Sequence, residues 1–479
     1  MPPLRPPEHS AGVRLPSRRA TVAAETDVLV IGGGPAGLAA ALGAAGAGAS
    51  VVLAERYGFL GGNATAALVM PLMSFYNEAR AAADAGTEDT LRLLPTDHGR
   101  GEPVVAGPLE ELLDRLVATA GAIAPSHQTG YTVPFDPESF KLVTLDLLDD
   151  SGVSYLFHAL ASGLVDEYTV IFETKSGPLV IRAETIVDAS GDGDVAAAAG
   201  APFELGRDED SLTQPMTLMF RMVGFNRARF GDYVRQHPGQ WRGVYGLWDL
   251  IAEARAAGEL DLPREDLLFF ATPHEGEISV NSTRVSPGPA TDVFALTAAE
   301  AATRRQLREI AGFLRRRVPG FEESYVVQSG MTVGVRETRR VLGDYILTAD
   351  DVLGGRSFED AVARGAYPID IHDPDGKGTI VRRLPLGGAY DIPLRALTPR
   401  GLERLLVSGR CISGTHEAHS SYRVTPIAMA TGHAAGICAA LAAARRCTTR
   451  DVDHRDVQRE LLRQHASLRP ELATALTSR

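Results

Sequence analysis

The stretch Asp27-Val28-Leu29-Val30-Ile31-Gly32-Gly33-Gly34-Pro35-Ala36-Gly37 decides the fold. Its apolar block is short and cut off by glycine, as expected of a strand buried on both faces of a parallel sheet. The glycines let the backbone turn tightly and approach a pyrophosphate, whose charge then sits at the positive end of the helix opened by Pro35. A second apolar run, Val51-Val52-Leu53-Ala54, ends at Glu55 and completes a βαβ unit. Glu55 follows Gly37 by about 18 residues, where a carboxylate accepts hydrogen bonds from ribose hydroxyls. A dinucleotide is therefore expected on Gly32, Gly34, Pro35, Ala36, Gly37 and Glu55.

Moving outward, Gly61-Gly62-Asn63-Ala64-Thr65 forms a second small-residue loop. Such a loop lets backbone pass close to a bulky planar ring, or is an ordinary surface turn. Ser190-Gly191-Asp192-Gly193-Asp194 lies just past the apolar run at residues 185–187. Its carboxylates are candidates for the polyhydroxylated ribityl chain of a flavin, a chain that NAD lacks. Leu109, Leu112, Leu113, Leu116 and Val117 recur at helical spacing, and Asp136 before Pro137 reads as an N-cap. Residues 153–187 alternate β-rich runs with turns, the pattern of a strand meander. Thr297 with Glu300 reads as a capping box for a helix ending before Pro319-Gly320. A last strand, Leu405-Leu406-Val407, runs into Ser408-Gly409-Arg410, and an Ala-rich helix opens at Pro426.

With 479 residues, 44% hydrophobic and 23% charged, the chain is of globular composition and too long for one core. Nucleic acid is not an expected partner of a protein with net charge -12, and the arginines at 304, 305, 308 and 315–317 read as a solvated helix face. No membrane span is expected. Three cysteines without a CxxC pair point to a reducing compartment and to redox chemistry that does not run through a dithiol. Residues 1–24 read as a disordered tail of a cytoplasmic protein, despite the pair Arg18-Arg19. His274 and His372 sit beside acids but lack a second ligand at helical spacing, so no metal is expected.

Residues 27–37, 55–65, 187–194, 333–340 and 405–436 together resemble the FAD-dependent oxidoreductases of the glutathione reductase-like flavoprotein superfamily. Fumarate reductase and succinate dehydrogenase flavoproteins are more distant relatives. The resemblance spans about residues 25–445 and implies an α/β fold: a Rossmann-type FAD-binding domain built from discontinuous segments plus a mixed α+β substrate domain. The segments expected for the FAD domain are 25–84, 151–206 and 396–446, with 85–150 and 207–395 as substrate domain and 447–479 as a helical extension.

The resemblance also implies residue roles. Gly32, Gly34 and Gly37 hold the pyrophosphate, Glu55 and Arg56 the adenosine side, and Ala161 meets the adenine. Gly61, Gly62, Asn63, Ala64 and Thr65 pass the flavin, Gly409 and Arg410 reach the ribityl chain, and the helix carrying Thr425 and Ile427 faces the pyrimidine edge. Reduced flavin is negative near N1 and O2, and a helix N-terminus stabilises that charge.

His416 is the candidate base, accepting a proton while a hydride leaves to flavin N5, or else a structural histidine. Arg336 and Arg423 are candidates for orienting an anionic group, while Arg339 reads as a partner of Glu337 or Asp344. The expected reaction is hydride removal from a small organic substrate, with oxygen or an electron carrier as acceptor and room for a homo-oligomer. A flavin monooxygenase is the alternative, and an RNA-modifying or non-redox flavoprotein a more remote one. Because Glu55 and the glycine loop address the ADP half, heating the purified yellow protein should release FAD and not FMN. Chromatography of the released cofactor checks this, and FMN or NAD alone would contradict it.

Overall fold

The computed structural model describes residues 3–5, 12–77, 93–95, 101–126, 128–373 and 378–477. Strand β1 (Thr21–Ile31), helix α1 (Pro35–Gly46) and strand β2 (Val51–Ala54) form the expected unit. β1 and β2 are parallel, Val28 opposite Val51 through Ile31 opposite Ala54. Two helices, α2 (Pro108–Ala118) and α3 (Pro137–Asp150), precede strand β3 (Ser154–Leu156), which pairs parallel to β2. The meander is β4 (Leu160–Asp166), β5 (Thr169–Thr174) and β6 (Gly177–Asp188). β6 runs parallel to β1, and its far edge is shared: β5 covers the first half, and the strand Leu405–Val407 pairs parallel with residues 186–188. The parallel layer is thus β3-β2-β1-β6 and then Leu405–Val407, with its carboxyl ends on one side.

Helix α1 and the helix Thr425–Arg445 lie side by side on this sheet, the Thr185 hydroxyl of β6 donating to the Ala439 carbonyl at 3.0 Å. A Cβ on Gly432 or Gly436 would lie 2.0 Å from the carbonyl oxygen of Ala36 or Ala40 respectively, so the two helices touch backbone to backbone. Thr425–Arg445 is long and apolar enough to cross a membrane, yet 83% of its most apolar window is buried inside the protein, where it acts as a core helix.

Several expected boundaries move. Strand β1 begins at Thr21, so the last four residues of the expected tail belong to the sheet, and Arg18 pairs with Glu173 at 2.7 Å. The expected substrate segment 85–150 contributes α2 and α3 to the nucleotide-domain core. Leu109, Leu112, Leu116, Phe140 and Leu147 join the same apolar cluster as Val28 to Ile31, because the leucine stripe finds its partner surface against α3, the helix Thr425–Arg445 and α1. The boundary expected at residue 84 lies outside the described residues. Val341, Leu347, Phe358, Tyr390 and Ile392 also belong to this first core. A separate second core is built by Phe225, Phe230, Trp241, Phe269 and Phe321 with the helix Val293–Arg317, over an antiparallel sheet containing Phe220–Val223, Leu267–Ala271, Glu277–Val280 and Tyr325–Ser329. That long helix starts before the expected capping box. Asp292 caps it by accepting the N–H of Phe294 at 2.7 Å, while Glu300 instead accepts the Val333 N–H at 2.8 Å. Past residue 446, the helix His454–Arg463 places Val457 and Leu461 in the first core.

Gly436→Val should cost about 1 to 3 kcal/mol or more, because the added carbons have no space against Ala40. Thermal unfolding of the purified holoprotein checks this, and an unchanged midpoint would show that the helix pair separates without penalty.

Candidate active site

A cavity of about 360 Å³ opens at the carboxyl ends of the parallel strands and extends to the face of the antiparallel sheet that looks away from the second core, where Met219 and Phe270 join the first core and Leu268 packs on it. At its nucleotide end the glycine loop is dictated by contact. Gly32 has φ +95° and a Cβ there would meet the Ala189 carbonyl oxygen at 2.5 Å; one on Gly37 would lie 1.7 Å from the Gly32 oxygen. Gly32, Gly34, Pro35 and Ala36 line the cavity, whereas Gly37 lies behind them as the packing contact. Glu55 is buried beside the loop and accepts the N–H of Gly33 at 2.6 Å and of Tyr57 at 2.8 Å. Burial raises its pKa against the lowering effect of those hydrogen bonds. Arg56 lines the cavity with it.

The second glycine loop lies on the first, the Gly61 N–H bonding the Gly33 carbonyl at 2.8 Å. Gly62 and Asn63 line the cavity. Gly61, Ala64 and Thr65 do not, because they shape the turn itself: the Thr65 hydroxyl donates to the Leu60 carbonyl at 2.6 Å. Ser190 and Gly191 are at the wall, held by Asp188, which was not singled out in the sequence. Fully buried, Asp188 accepts from Ser190, Val195 and Ala196, and burial raises its pKa. A carboxylate ending a central strand before a Gly-rich turn was the signal.

The expected ribityl acids do not line the cavity. Asp192 accepts from Arg410 and Thr338, each at 2.8 Å, and Asp194 pairs with Arg339 at 2.8 Å. Arg339 is thus an ion-pair partner, but of Asp194 and not of Glu337 or Asp344. Gly409 and Arg410 are at the wall, Arg410 with a buried Nη1 that has no partner. Thr425 lines the cavity, while Ile427 is fully buried in the core, its side chain against Gly365. Ala161 is misplaced as well. It pairs with Phe172 inside the meander, and the chain beside Glu55 is His158 and Ala159, whose N–H groups bond the carbonyls of Tyr57 and Glu55.

His416 is off the cavity too. Its Nδ1 lies 2.9 Å from Glu337 Oε1, which also takes Arg340 Nη1 at 2.6 Å, while Glu337 Oε2 accepts the Gln214 N–H at 3.0 Å. This is a buried structural network, and it withdraws His416 as the base. His274 is half-exposed beside Asp136 at 3.5 Å, and among the described residues no group of His, Cys, Asp or Glu suits a metal.

At the far end the cavity brings together Arg336 and Arg423 with Tyr367, Asp370 and His372. The strand Ile369–His372 has period two, so Asp370 and His372 share a face; that alternation was the overlooked signal. Tyr367 donates to Asp370 at 2.8 Å, and His372 Nε2 lies 3.5 Å from it. Arg284 contacts His372 Nδ1 at 3.0 Å. A guanidinium only donates, so Nδ1 accepts and the imidazole proton sits on Nε2, toward Asp370. Burial opposes ionisation of Asp370, but His372, Arg423 and Tyr367 hold its carboxyl well below the usual range. Burial and the Arg336 charge push His372 down to about 3, and burial and Arg423 push Arg336 down to about 9.

The sequence profile of a family described as FAD dependent oxidoreductase matches residues 27–461. The chain belongs to this family. No curated protein matches it. Among solved structures, p-nitrophenol 4-monooxygenase PnpA from Pseudomonas putida is similar at 13% identity, over 95% of this chain and 89% of that one, with a TM-score of 0.45. A geranylgeranyl bacteriochlorophyll reductase-like protein from Thermoplasma acidophilum is similar at 14% identity, over 92% and 84%, with a TM-score of 0.42. OxyS anhydrotetracycline hydroxylase from Streptomyces rimosus is similar at 12% identity, over 95% and 67%, with a TM-score of 0.43.

The residues present fit the cofactor of an FAD-dependent oxidoreductase. The N-terminus of α1 and the unpartnered Arg410 Nη1 give donors for a pyrophosphate, the start of the helix Thr425–Arg445 gives further donors on the same cavity, and the glycine cradle has no room for side chains.

Two predictions follow from the histidines. His416→Ala should lower the unfolding midpoint while leaving the rate of flavin reduction at the wild-type value; a slowed rate in stopped flow with retained FAD would restore a catalytic role. His433, bonded to Gln464 and pushed down to about 4 by burial, stays neutral in the folded protein while its unfolded form protonates near pH 6.5. Its contribution is therefore intact above about pH 6.5 and is lost as pH falls toward 4, a cost of about 2 kcal/mol at pH 5. Denaturant unfolding at pH 7 and pH 5 should show a smaller loss for His433→Gln than for wild type, and equal losses would contradict the assignment.

Proposed function

We propose that the protein is a dehydrogenase or oxidase that removes a hydride from a small organic substrate, at a C–H next to nitrogen or oxygen or between two carbons. The observation that carries this reading is the continuity of one cavity from the glycine loops to the Arg336, Asp370, His372 and Arg423 cluster. The N–H groups opening α1, with Arg410 Nη1, would hold the pyrophosphate, and Glu55 the adenosine ribose. The start of the helix Thr425–Arg445 offers N–H groups and the positive end of a dipole at the cavity wall. When bound, FAD supplies N5 as the hydride acceptor, the electrons passing on to oxygen or a carrier.

Met70, Met219, Leu268 and Phe270 make the substrate end apolar and exclude water. Arg336 and Arg423 fix the orientation of a polar group. Neutral His372, with its lone pair engaged by Arg284, holds Asp370 in place and is a positioning residue, not a base.

Anaerobic mixing with a panel of amines, alcohols and saturated acids should find a compound that bleaches the oxidised flavin's visible absorbance. If only NAD(P)H bleaches it and the product gains an oxygen atom, the protein is a monooxygenase instead. Glu55→Ala should weaken FAD by about 1 to 3 kcal/mol with the fold retained; unchanged affinity in a titration of apoprotein would remove Glu55 as the ribose ligand.

A further inference from the structure

The geometry points to a substrate that carries a carboxylate on an apolar body, with the carboxylate held by Arg336 and Arg423. This inference rests on the reading of the cavity's far end as the substrate end.

The charges there do not balance. Arg284 has Asp266 and Asp373 near it as well as Asp370, but Arg336 and Arg423 face Asp370 alone, whose Oδ2 already takes the Tyr367 hydroxyl at 2.8 Å and lies 3.6 Å from Arg423. His372 adds no positive charge at neutral pH and presents no free acceptor. Arg336 spends Nη1 on two neutral oxygens, the Pro215 carbonyl at 2.6 Å and the Thr217 hydroxyl at 2.7 Å. Among the described residues it has no carboxylate within ion-pair distance. Arg423 donates Nη2 to the Asp370 carbonyl at 3.1 Å, and its Nε is buried without a partner.

A buried cation lacking a counter-ion is costly, and the cost falls when an anion arrives with it. A guanidinium fork matches a carboxylate in shape and charge. The neighbouring wall of Met70, Met219, Leu268 and Phe270 carries only neutral polar neighbours, Asn281 and Thr217, and no charged group for a second charged end, so the rest of the ligand is largely apolar.

The test uses the FAD-loaded protein and matched pairs: acetate and acetamide, hexanoate and hexanamide, benzoate and benzamide, phenylacetate and phenylacetamide. Binding is followed by calorimetry and by perturbation of the flavin absorption. At least one acid should bind tenfold or more tightly than its amide, Arg336→Met should abolish that preference with FAD content unchanged, and Arg336→Lys should recover part of it. Equal binding within every pair, or no binding of any acid by wild type, overturns the inference without any variant. So does an Arg336→Met protein that keeps the preference, or one that folds but loses FAD, since the arginine would then serve the cofactor. Flavin bleaching by a neutral substrate without acid preference would sink this inference alone. Acid preference without bleaching by any compound would sink the hydride reading alone.

Discussion

Where any other residue carries a carbon, Gly37 carries only hydrogen, and that lets α1 start directly against the end of β1, with the Gly32 carbonyl 1.7 Å from where a Cβ would be. The position of α1 then fixes what can pack on it. Gly432 and Gly436 bring the helix Thr425–Arg445 onto its backbone, and Gly409, at φ +77°, crosses over Ala36. Segments nearly four hundred residues apart in the chain thus meet at one helical turn. The N-termini of both helices consequently open on the same cavity, and their unsatisfied N–H groups set its electrostatic character.

The nucleotide half of the site was legible because its signals are local. Strand, glycine turn, helix and terminal carboxylate all fall within residues 27–55, and the Asp136 cap and the meander are equally short-range. What failed depended on partners distant in sequence. Asp192 and Asp194 have the right chemistry for a ribityl chain, but arginines 218 and 145 residues away claim them. His416 is claimed by Glu337, 79 residues away. Thr297 and Asp292 are both acceptable caps, and only the extended backbone of Asp292, at φ -94° and ψ 117°, decides between them. The leucine stripe of α2 said that a partner surface exists without saying which.

Residues 333–340 show how one short segment serves two ends. Glu337 is buried and binds Arg340, His416 and the Gln214 backbone, tying three parts of the chain together. A buried ionic group of this kind is tolerable only when every member is satisfied. Arg336, its chain neighbour, lines the cavity instead. Fixing Glu337 fixes where Arg336 emerges, so the architectural residue sets the position of the one that faces the cavity.

The fold is able to satisfy arginines when their role is structural. Arg221, nearly buried, has Asp136, Glu277 and Gln328, and Arg340 has Glu337, Glu204 and the Gly414 carbonyl. Three arginines among the described residues keep a buried nitrogen without a hydrogen-bond partner. One, Arg364, still has Asp391 at 3.9 Å; the other two, Arg410 and Arg423, line the cavity at its two ends. A charged donor left open in this wall, where the hydroxyl of Ser408 is also unpartnered, records where an acceptor from outside the chain belongs. The pattern asks for acceptors at both ends of the cavity: a pyrophosphate near Arg410, and near Arg423 and Arg336 an anion that this chain does not itself provide.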